Sequence, residues 1–233
     1  MKAPPKRSTQ KFSEFLRGPF KYMRKIKRFK IAPRQKEILR KLLRAGGLLR
    51  QAGFRSEIEV SQYILSLFSL LDPGVVYELN KDEMWELGPQ NLVSQGAFSA
   101  CAVTLGNKIE NAVSEARAMG EPRHIVAGTI VFEFLKNAVN FITDLIREQA
   151  EKEEYETLEP QFIFLPPFAT AAVPKLFREA VRLENISKDT LPAILEKLNS
   201  SKIDLALSDE TLLPVYSTVF LIPWQKAKRK GKK

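Results

Sequence analysis

The chain has 233 residues, of which 44% are hydrophobic and 27% are charged, a composition typical of one or two folded domains. Its single cysteine, Cys101, excludes an intrachain disulfide and a multi-cysteine metal site, and we expect a reducing, cytoplasmic setting. The longest apolar stretches fall short of the roughly 20 residues that span a bilayer, and the N-terminal residues lack the apolar core of a signal peptide.

The formal net charge of +10 is distributed unevenly along the chain. Residues 1–50 contain 17 Lys or Arg and two acids, and residues 224–233 contain six basic residues and no acid. The residues between them have a net charge of −11. The sequence therefore predicts an acidic globular domain, residues 31–223, with a basic extension at residues 1–30 and a basic disordered tail at residues 224–233.

Apolar residues at helical spacing predict the elements of the N-terminal part. After a disordered leader, residues 11–30 predict two short basic amphipathic helices. Residues 34–50 predict a helix ended by Gly46-Gly47, and residues 56–71 predict a core helix closed by a turn at 72–74.

The rest of the chain mixes strands and helices. β-Branched and small residues predict short strands at 75–79, 83–87 and 96–105. Helices are predicted at 107–119, 124–154, 176–182 and 190–198. Residues 203–207 and 215–222 predict two strands that pair with each other. Because the order is not a strict βαβ alternation, we expect an α+β fold, a single domain with several helices packed on a small mixed or antiparallel sheet.

No self-contained catalytic site is visible in the sequence. His124 is the single histidine and lies 23 positions from Cys101, so the two cannot supply the three or four ligands of a nitrogen- or sulfur-ligated metal site. The chain has no GxSxG nucleophile elbow and no GxxxxGK or GxGxxG phosphate loop. Adjacent carboxylates are interpreted as the solvated face of the acidic domain.

Several segments, taken in order, resemble one family. They read EILRKL at 37–42, AVTLG at 102–106, GTIVFE at 128–133 and ALSDETLLPVYSTVF at 206–220. In this order the chain resembles the activation domain of vitamin B12-dependent methionine synthase, particularly its free-standing versions, over roughly residues 31–223. Pro214, Val215 and Ser217 match the proline, valine and serine of the family's last segment.

The resemblance implies a function and a set of contacts. Domains of that family bind S-adenosylmethionine and offer its methyl group to the reduced cobalt of a neighbouring cobalamin domain. It therefore implies a cobalamin-binding or methyltransferase partner and S-adenosylmethionine as the ligand. Five residues of this chain match positions of the family's ligand cleft: Glu133, Pro166, Phe168, Ser208 and Asp209.

The ligand loop departs from the family pattern. The family has an Arg-x-x-Pro-Gly-Tyr-like loop, and residues 160–168 here read PQFIFLPPF, with Pro167 at the glycine, Phe168 at the tyrosine and no arginine between Arg147 and Arg178. Proline removes a backbone N–H and fixes φ, so we expect a weakened S-adenosylmethionine site. Ser208 replaces a family glutamate, with Asp209 adjacent.

Two interpretations of this departure stay open. The sequence favours an accessory protein that acts by binding a corrinoid or methyltransferase partner, and S-adenosylmethionine-dependent reactivation of a corrinoid enzyme is the enzymatic alternative. Whether the chain is an enzyme is left undecided by the sequence. Residues 162–168 also fit a core strand ended by Pro166-Pro167.

The basic extension combines cationic and aromatic residues. The residues predicted to bind a partner or a membrane are Phe12, Phe15, Phe20, Tyr22, Arg24, Lys25, Lys27, Arg28 and Phe29. Docking on an acidic protein is favoured, with an anionic membrane surface as one alternative and nucleic acid, gripped by phosphate contacts and base stacking, as a weaker one. The segment could instead pack against the acidic domain and neutralise it.

Overall fold

The computed structural model describes residues 24–80, 97–167, 181–182 and 190–227. The first predicted amphipathic helix, the strand at 83–87, most of the helix at 176–182 and the tail from residue 228 lie outside those ranges. Five residues predicted to bind also lie outside them: Phe12, Phe15, Phe20, Tyr22 and Phe168.

A mixed sheet forms the centre of the fold. Its strands are β1 (Arg24–Lys27), β2 (Gly74–Asn80), β3 (Phe98–Thr104), β4 (Tyr155–Thr157), β5 (Gln161–Phe164), β6 (Val181–Arg182) and β9 (Ser217–Lys226). The order is β1-β2-β3-β9-β5-β6, with β4 on β9, and the pairs are antiparallel except the parallel pair β5 and β6. A separate hairpin joins β7 (Ala206–Ser208) to β8 (Thr211–Leu213).

Helices cover both faces of this sheet. They are α1 (Gln35–Leu43), α2 (Leu48–Gln51), α3 (Glu57–Ser69), α4 (Lys108–Ala118), α5 (Glu121–Glu151) and α6 (Thr190–Lys197), with a 3₁₀ helix at Ser200–Ile203. In β2, Val75 and Tyr77 pack in the larger core cluster with Ile130 of α5, and Val76 packs in a second cluster with Ile194 of α6. The predicted α+β class is therefore confirmed, as a three-layer arrangement of the described elements.

The long helix α5 is the main element of the core. Its side chains from Val126 to Leu135 are all buried. By length and composition it could cross a membrane, but 78% of its apolar window is buried inside the domain. A buried helix of a globular core passes the same test, so packing explains its apolar composition.

Local signals explain several confirmed elements. The Ser56 side chain accepts a hydrogen bond from the Glu59 N–H at 3.2 Å and caps α3, as expected for a serine at the start of a predicted helix. The predictions for β2, β3, α4, α5 and α6 are also confirmed. The helix predicted at 34–50 is confirmed to Leu43, and Gly47, at φ 76°, separates it from α2.

The second amphipathic helix predicted within residues 11–30 is wrong in the described part. Residues Arg24–Lys27 form β1, in which Ile26 pairs with Val75 of β2. The alternation of partly buried and exposed side chains along β1 fits an edge strand, and the pairing with a distant strand outweighs the helical spacing. Phe29 follows at 8% exposure, with its ring stacked on Phe141 at 4.7 Å.

The pairing predicted between 203–207 and 215–222 is also wrong. Asp209 and Glu210 adopt φ of 47° and 65°, and the turn they form brings β7 against β8 instead. The later strand, β9, runs on to Lys226 between β3 and β5, and Trp224 is buried with its Nε1–H donating to Ser99 Oγ at 3.0 Å. Residues 181–182, predicted as helix, form the short strand β6.

Candidate functional site

A cleft of about 380 Å³ lies between α4, the first half of α5 and the segment that joins β8 to β9. This is the size range of small-molecule sites. The residues that line it are Glu110, Val113, Ser114, Arg117, His124, Gly128, Phe132, Pro167, Val215 and Tyr216. We refer to it as the Glu110 cleft.

Helical spacing explains how this lining arises. The four α4 residues, from Glu110 to Arg117, follow the i, i+3, i+4, i+7 spacing of one helix face. His124, Gly128 and Phe132 recur every four residues on α5 and form the facing wall. The cleft is therefore built by two regular helix faces, with residues 215–216 as a third wall and Pro167 also in the lining.

Glu110 links α4 to the third wall of the cleft, which is the segment that joins β8 to β9. Its side chain is partly buried, and Oε1 accepts a hydrogen bond from the backbone N–H of Val215. Burial raises the pKa of this carboxyl, and the Val215 hydrogen bond opposes the rise. Among the described residues, no Lys or Arg forms an ion pair with Glu110. The cleft thus contains a carboxylate whose charge is incompletely compensated.

Tyr216 and Phe132 give the cleft an aromatic wall. Their rings meet edge to face, with centroids 5.8 Å apart, and Tyr216 is 9% exposed. Burial and the nearby Glu110 raise the pKa of Tyr216 to about 12, so its phenol stays protonated at neutral pH. The wall can stack a flat ring and also offers a hydroxyl group.

Polar groups on the other two sides complete the cleft. The His124 Nδ1 atom is buried, hydrogen-bonds to no residue in the described ranges and lies 3.7 Å from Glu121 Oε2. Arg117 is exposed on α4. A Cβ built on Gly128 would meet nothing within 4 Å, so this glycine leaves open space in a helix wall. The arrangement suits binding of a polar aromatic molecule better than bond-breaking chemistry.

Most residues predicted as ligand contacts do not line this cleft. Glu133 faces away from solvent in an ion cluster, with Oε1 2.5 Å from Lys41 Nζ and Oε2 3.2 Å from Lys136 Nζ. Ser208 and Asp209 are exposed on the β7–β8 hairpin. Pro166 is buried beside Pro167, which does line the cleft. The described members of the predicted set are therefore dispersed.

The polar residues that the cleft does contain are not among those predicted from the sequence. These are Glu110, Ser114, Arg117 and Tyr216, together with His124, for which the sequence predicts no site. The spacing of residues 110–117 was the available signal, but it fits any amphipathic helix. In the described ranges, no group of three or more His, Cys, Asp or Glu is placed to hold a metal ion.

The described basic residues of the extension occupy the edge of the sheet. Lys27 Nζ lies 2.8 Å from Asp204 Oδ2, and hydrogen bonding and charge from Lys27 lower the pKa of Asp204. Arg28 Nε lies 3.4 Å from Asp72 Oδ1, and Lys25 is exposed. Arg24 on the same strand contributes a hydrogen bond and charge to Tyr77, whose pKa is raised by burial in spite of them.

Fold and cleft together define an α+β domain with a small-molecule-sized cleft between two helices. No family model and no curated protein matches the chain. The chain is similar to a solved structure of the MetH reactivation domain bound to AdoHcy (S-adenosylhomocysteine). The TM-score is 0.48 and the identity 12%, covering 91% of this chain and 81% of that one, and the likeness is one of fold.

Proposed function

We propose that the protein is an accessory module that binds S-adenosylmethionine or S-adenosylhomocysteine in the Glu110 cleft and serves a corrinoid-dependent methyltransferase partner. One observation carries the proposal. Two segments with family-like sequence contribute to the cleft, Gly128 and Phe132 from GTIVFE and Val215 with Tyr216 from the last segment, and Pro167 adds the loop that stands at the family's ligand loop. Segments so distant in sequence meet at one cleft, and a ligand that contacts all of them would bind there.

The chemistry of the cleft matches the parts of such a ligand. Adenine is a flat ring that stacks on aromatic side chains, and Phe132 with Tyr216 offers that surface. Arg117 can pair with the ligand's carboxylate. Glu110 supplies negative charge for its ammonium group, its ribose hydroxyls or the sulfonium of S-adenosylmethionine. The arginine missing from the loop thus has a counterpart on α4.

Calorimetric titration of the full chain with both ligands tests the binding site. We expect both to bind, and Glu110→Gln to weaken binding about tenfold, because a hydrogen bond to a charged group contributes about 1.5 kcal/mol or more. Glutamine can still accept from the Val215 N–H, so the 215–216 segment keeps its support. Since the sulfonium charge is the main difference between the ligands, a larger loss for S-adenosylmethionine would assign Glu110 to the sulfur.

A matched control separates the cleft from general charge effects. Glu115 is exposed on the same helix and does not line the cleft, so Glu115→Gln should leave both affinities unchanged. Absence of heat with either ligand, or equal losses in both variants, would contradict ligand binding at this cleft.

The partner is tested separately. Immobilised protein should retain a corrinoid-containing protein from native lysate, recognised by its visible absorption. A captured fraction without corrinoid absorption would contradict this part of the proposal and leave the ligand site standing.

A further inference from the structure

A second cleft, of about 510 Å³, lies at the junction of β1, the end of α3 and the start of α4. It is lined by Arg28, Phe29, Lys30, Ile31, Phe68, Ser69, Leu70, Leu71, Asp72, Pro73 and Lys108. We refer to it as the Lys108 cleft. No part of the function proposed above uses it.

The walls of the Lys108 cleft are apolar and fixed by the core. Phe29 and Ile31 are buried, and Phe68, Leu70 and Leu71 are partly buried against the same cluster. Phe29 stacks on Phe141 at 4.7 Å, and Phe68 meets Phe134 edge to face at 5.7 Å. Because Phe141 and Phe134 hold these two rings in place, the apolar wall of the cleft is already formed without a ligand.

The rim of the Lys108 cleft is cationic. Arg28, Lys30 and Lys108 are exposed, and Asp72 is the one acidic residue in the described lining. Asp72 is paired with Arg28 at 3.4 Å, which leaves the two lysines uncompensated within the lining. This local excess of positive charge is unusual for the domain, because residues 51–223 together have a net charge of −11.

The backbone around the rim is hydrogen-bonded. The Arg28 N–H donates to Pro73 O at 2.7 Å, and the Asp72 N–H donates to Leu105 O at 3.1 Å. The first bond joins the end of β1 to the turn after α3, and the second joins that turn to the residue after β3, so the cations lie beside a defined apolar wall.

We propose that the Lys108 cleft binds a single-chain anionic amphiphile, an acyl chain with a carboxylate or phosphate head group. The acyl chain would lie against Phe29, Phe68 and Leu71, where burial of its methylene groups would stabilise the complex. The head group would meet Lys30 and Lys108 at the rim. An uncharged or cationic amphiphile would lack the attraction between an anionic head group and these two lysines.

The two clefts are distinct. Lys108 and Glu110 belong to the first turn of α4, and residues two positions apart on a helix do not share a face. A substitution at one rim can therefore leave the other site intact, and the tests of the two clefts do not depend on each other.

Calorimetry of the full chain with dodecanoate and dodecyl phosphate, each below its micelle concentration, tests the proposal. We expect both to bind and dodecyltrimethylammonium not to bind. Replacing Lys30 and Lys108 by glutamine should weaken binding roughly two- to fivefold per lysine, the range for solvent-exposed charge pairs. Leu71→Asn should weaken it by removing apolar contact.

Three controls make the result decisive. Glutamine at the exposed Lys36 and Lys152 makes the same change of net charge away from the cleft and should have no effect. Glu110→Gln should also have none, which separates failure here from failure of the proposed function. Vesicles of phosphatidylcholine with phosphatidic acid test a membrane source of the same head group.

The results that overturn the proposal are specific. Equal binding of the cationic amphiphile, unchanged affinity in the Lys30 and Lys108 variant, or binding to the anionic vesicles without binding of the monomeric amphiphiles would each refute it.

Discussion

Gly128→Ala should stabilise the fold and weaken ligand binding in the same variant. Gly128 lies within the 31-residue helix α5 and lines the Glu110 cleft. A glycine inside a helix costs about 1 kcal/mol relative to alanine, and a Cβ at this position would meet nothing within 4 Å. The free energy of unfolding should therefore rise by about 1 kcal/mol, which corresponds to an increase in Tm of about 2–4 °C for a chain of this size.

The added methyl group should at the same time take space from the ligand. Gly128 is part of the cleft wall, so alanine narrows the cleft, and Gly128→Val narrows it further. Valine is also less favourable than alanine in a helix, so it should bring less stability with a larger loss of affinity. Both variants should therefore be more stable than the unchanged protein and bind the ligand more weakly, with Gly128→Val showing the smaller gain in stability and the larger loss of affinity.

Thermal and urea unfolding measure the first effect, and titration with S-adenosylhomocysteine measures the second. Ala127→Gly is the matched control, because Ala127 is the adjacent buried residue and does not line the cleft. It should lower stability by about 1 kcal/mol or more without changing affinity. Destabilisation by Gly128→Ala would refute the inference that the space beside Gly128 can hold a methyl group. Unchanged affinity would refute the placement of the ligand in the Glu110 cleft.

The other predictions concern the ion cluster and the loop. Glu133→Gln should destabilise by about 1–3 kcal/mol in urea unfolding, since it leaves Lys41 and Lys136 with less compensation, whereas exposed Glu148→Gln on the same helix should change little. Burial opposes ionisation of Glu37, but Lys136 and Lys41 outweigh it and hold its pKa below 4.5. The ionised Glu37 carboxylate should therefore stabilise the fold above pH 4.5, and this stabilisation should be lost as the pH falls through the lowered pKa that Glu37 has in the folded protein. Glu37→Gln should reduce this pH dependence, as measured by urea titrations at several pH values. Pro167→Gly should tighten S-adenosylmethionine binding about threefold to tenfold by restoring a backbone N–H; unchanged or weaker binding would contradict the interpretation of the loop.

The elements that sequence predicted well are those with local signals. The helix at 56–71 has a serine cap and one apolar face, and both are set within the segment itself. Strand β3 is buried at all seven residues, which suits its run of small and β-branched residues between two other strands. In both cases the immediate sequence contains the information that decides the structure.

The elements that sequence predicted wrongly depend on distant partners. Arg24–Lys27 has apolar and basic residues in an order that fits a short amphipathic helix, and pairing with β2, about 50 positions later, makes it a strand. The same holds for the cleft, where the hydrogen bond from Val215 to Glu110 joins residues 105 positions apart. Such contacts leave no trace in the spacing of either segment.

Two carboxylates illustrate why residue type and motif did not identify the site. Glu133 matched a family position, but Lys41, 92 positions earlier, and Lys136 on the next turn balance its charge within the fold. Glu110 matched nothing, and it has a backbone N–H but no described cation as a partner, while burial raises its pKa. A charge already balanced inside the protein gains little from a ligand, whereas an uncompensated one gains most from a cationic group. The candidate site therefore lies where the fold leaves a partly buried charge unbalanced, and that imbalance is decided by tertiary contacts.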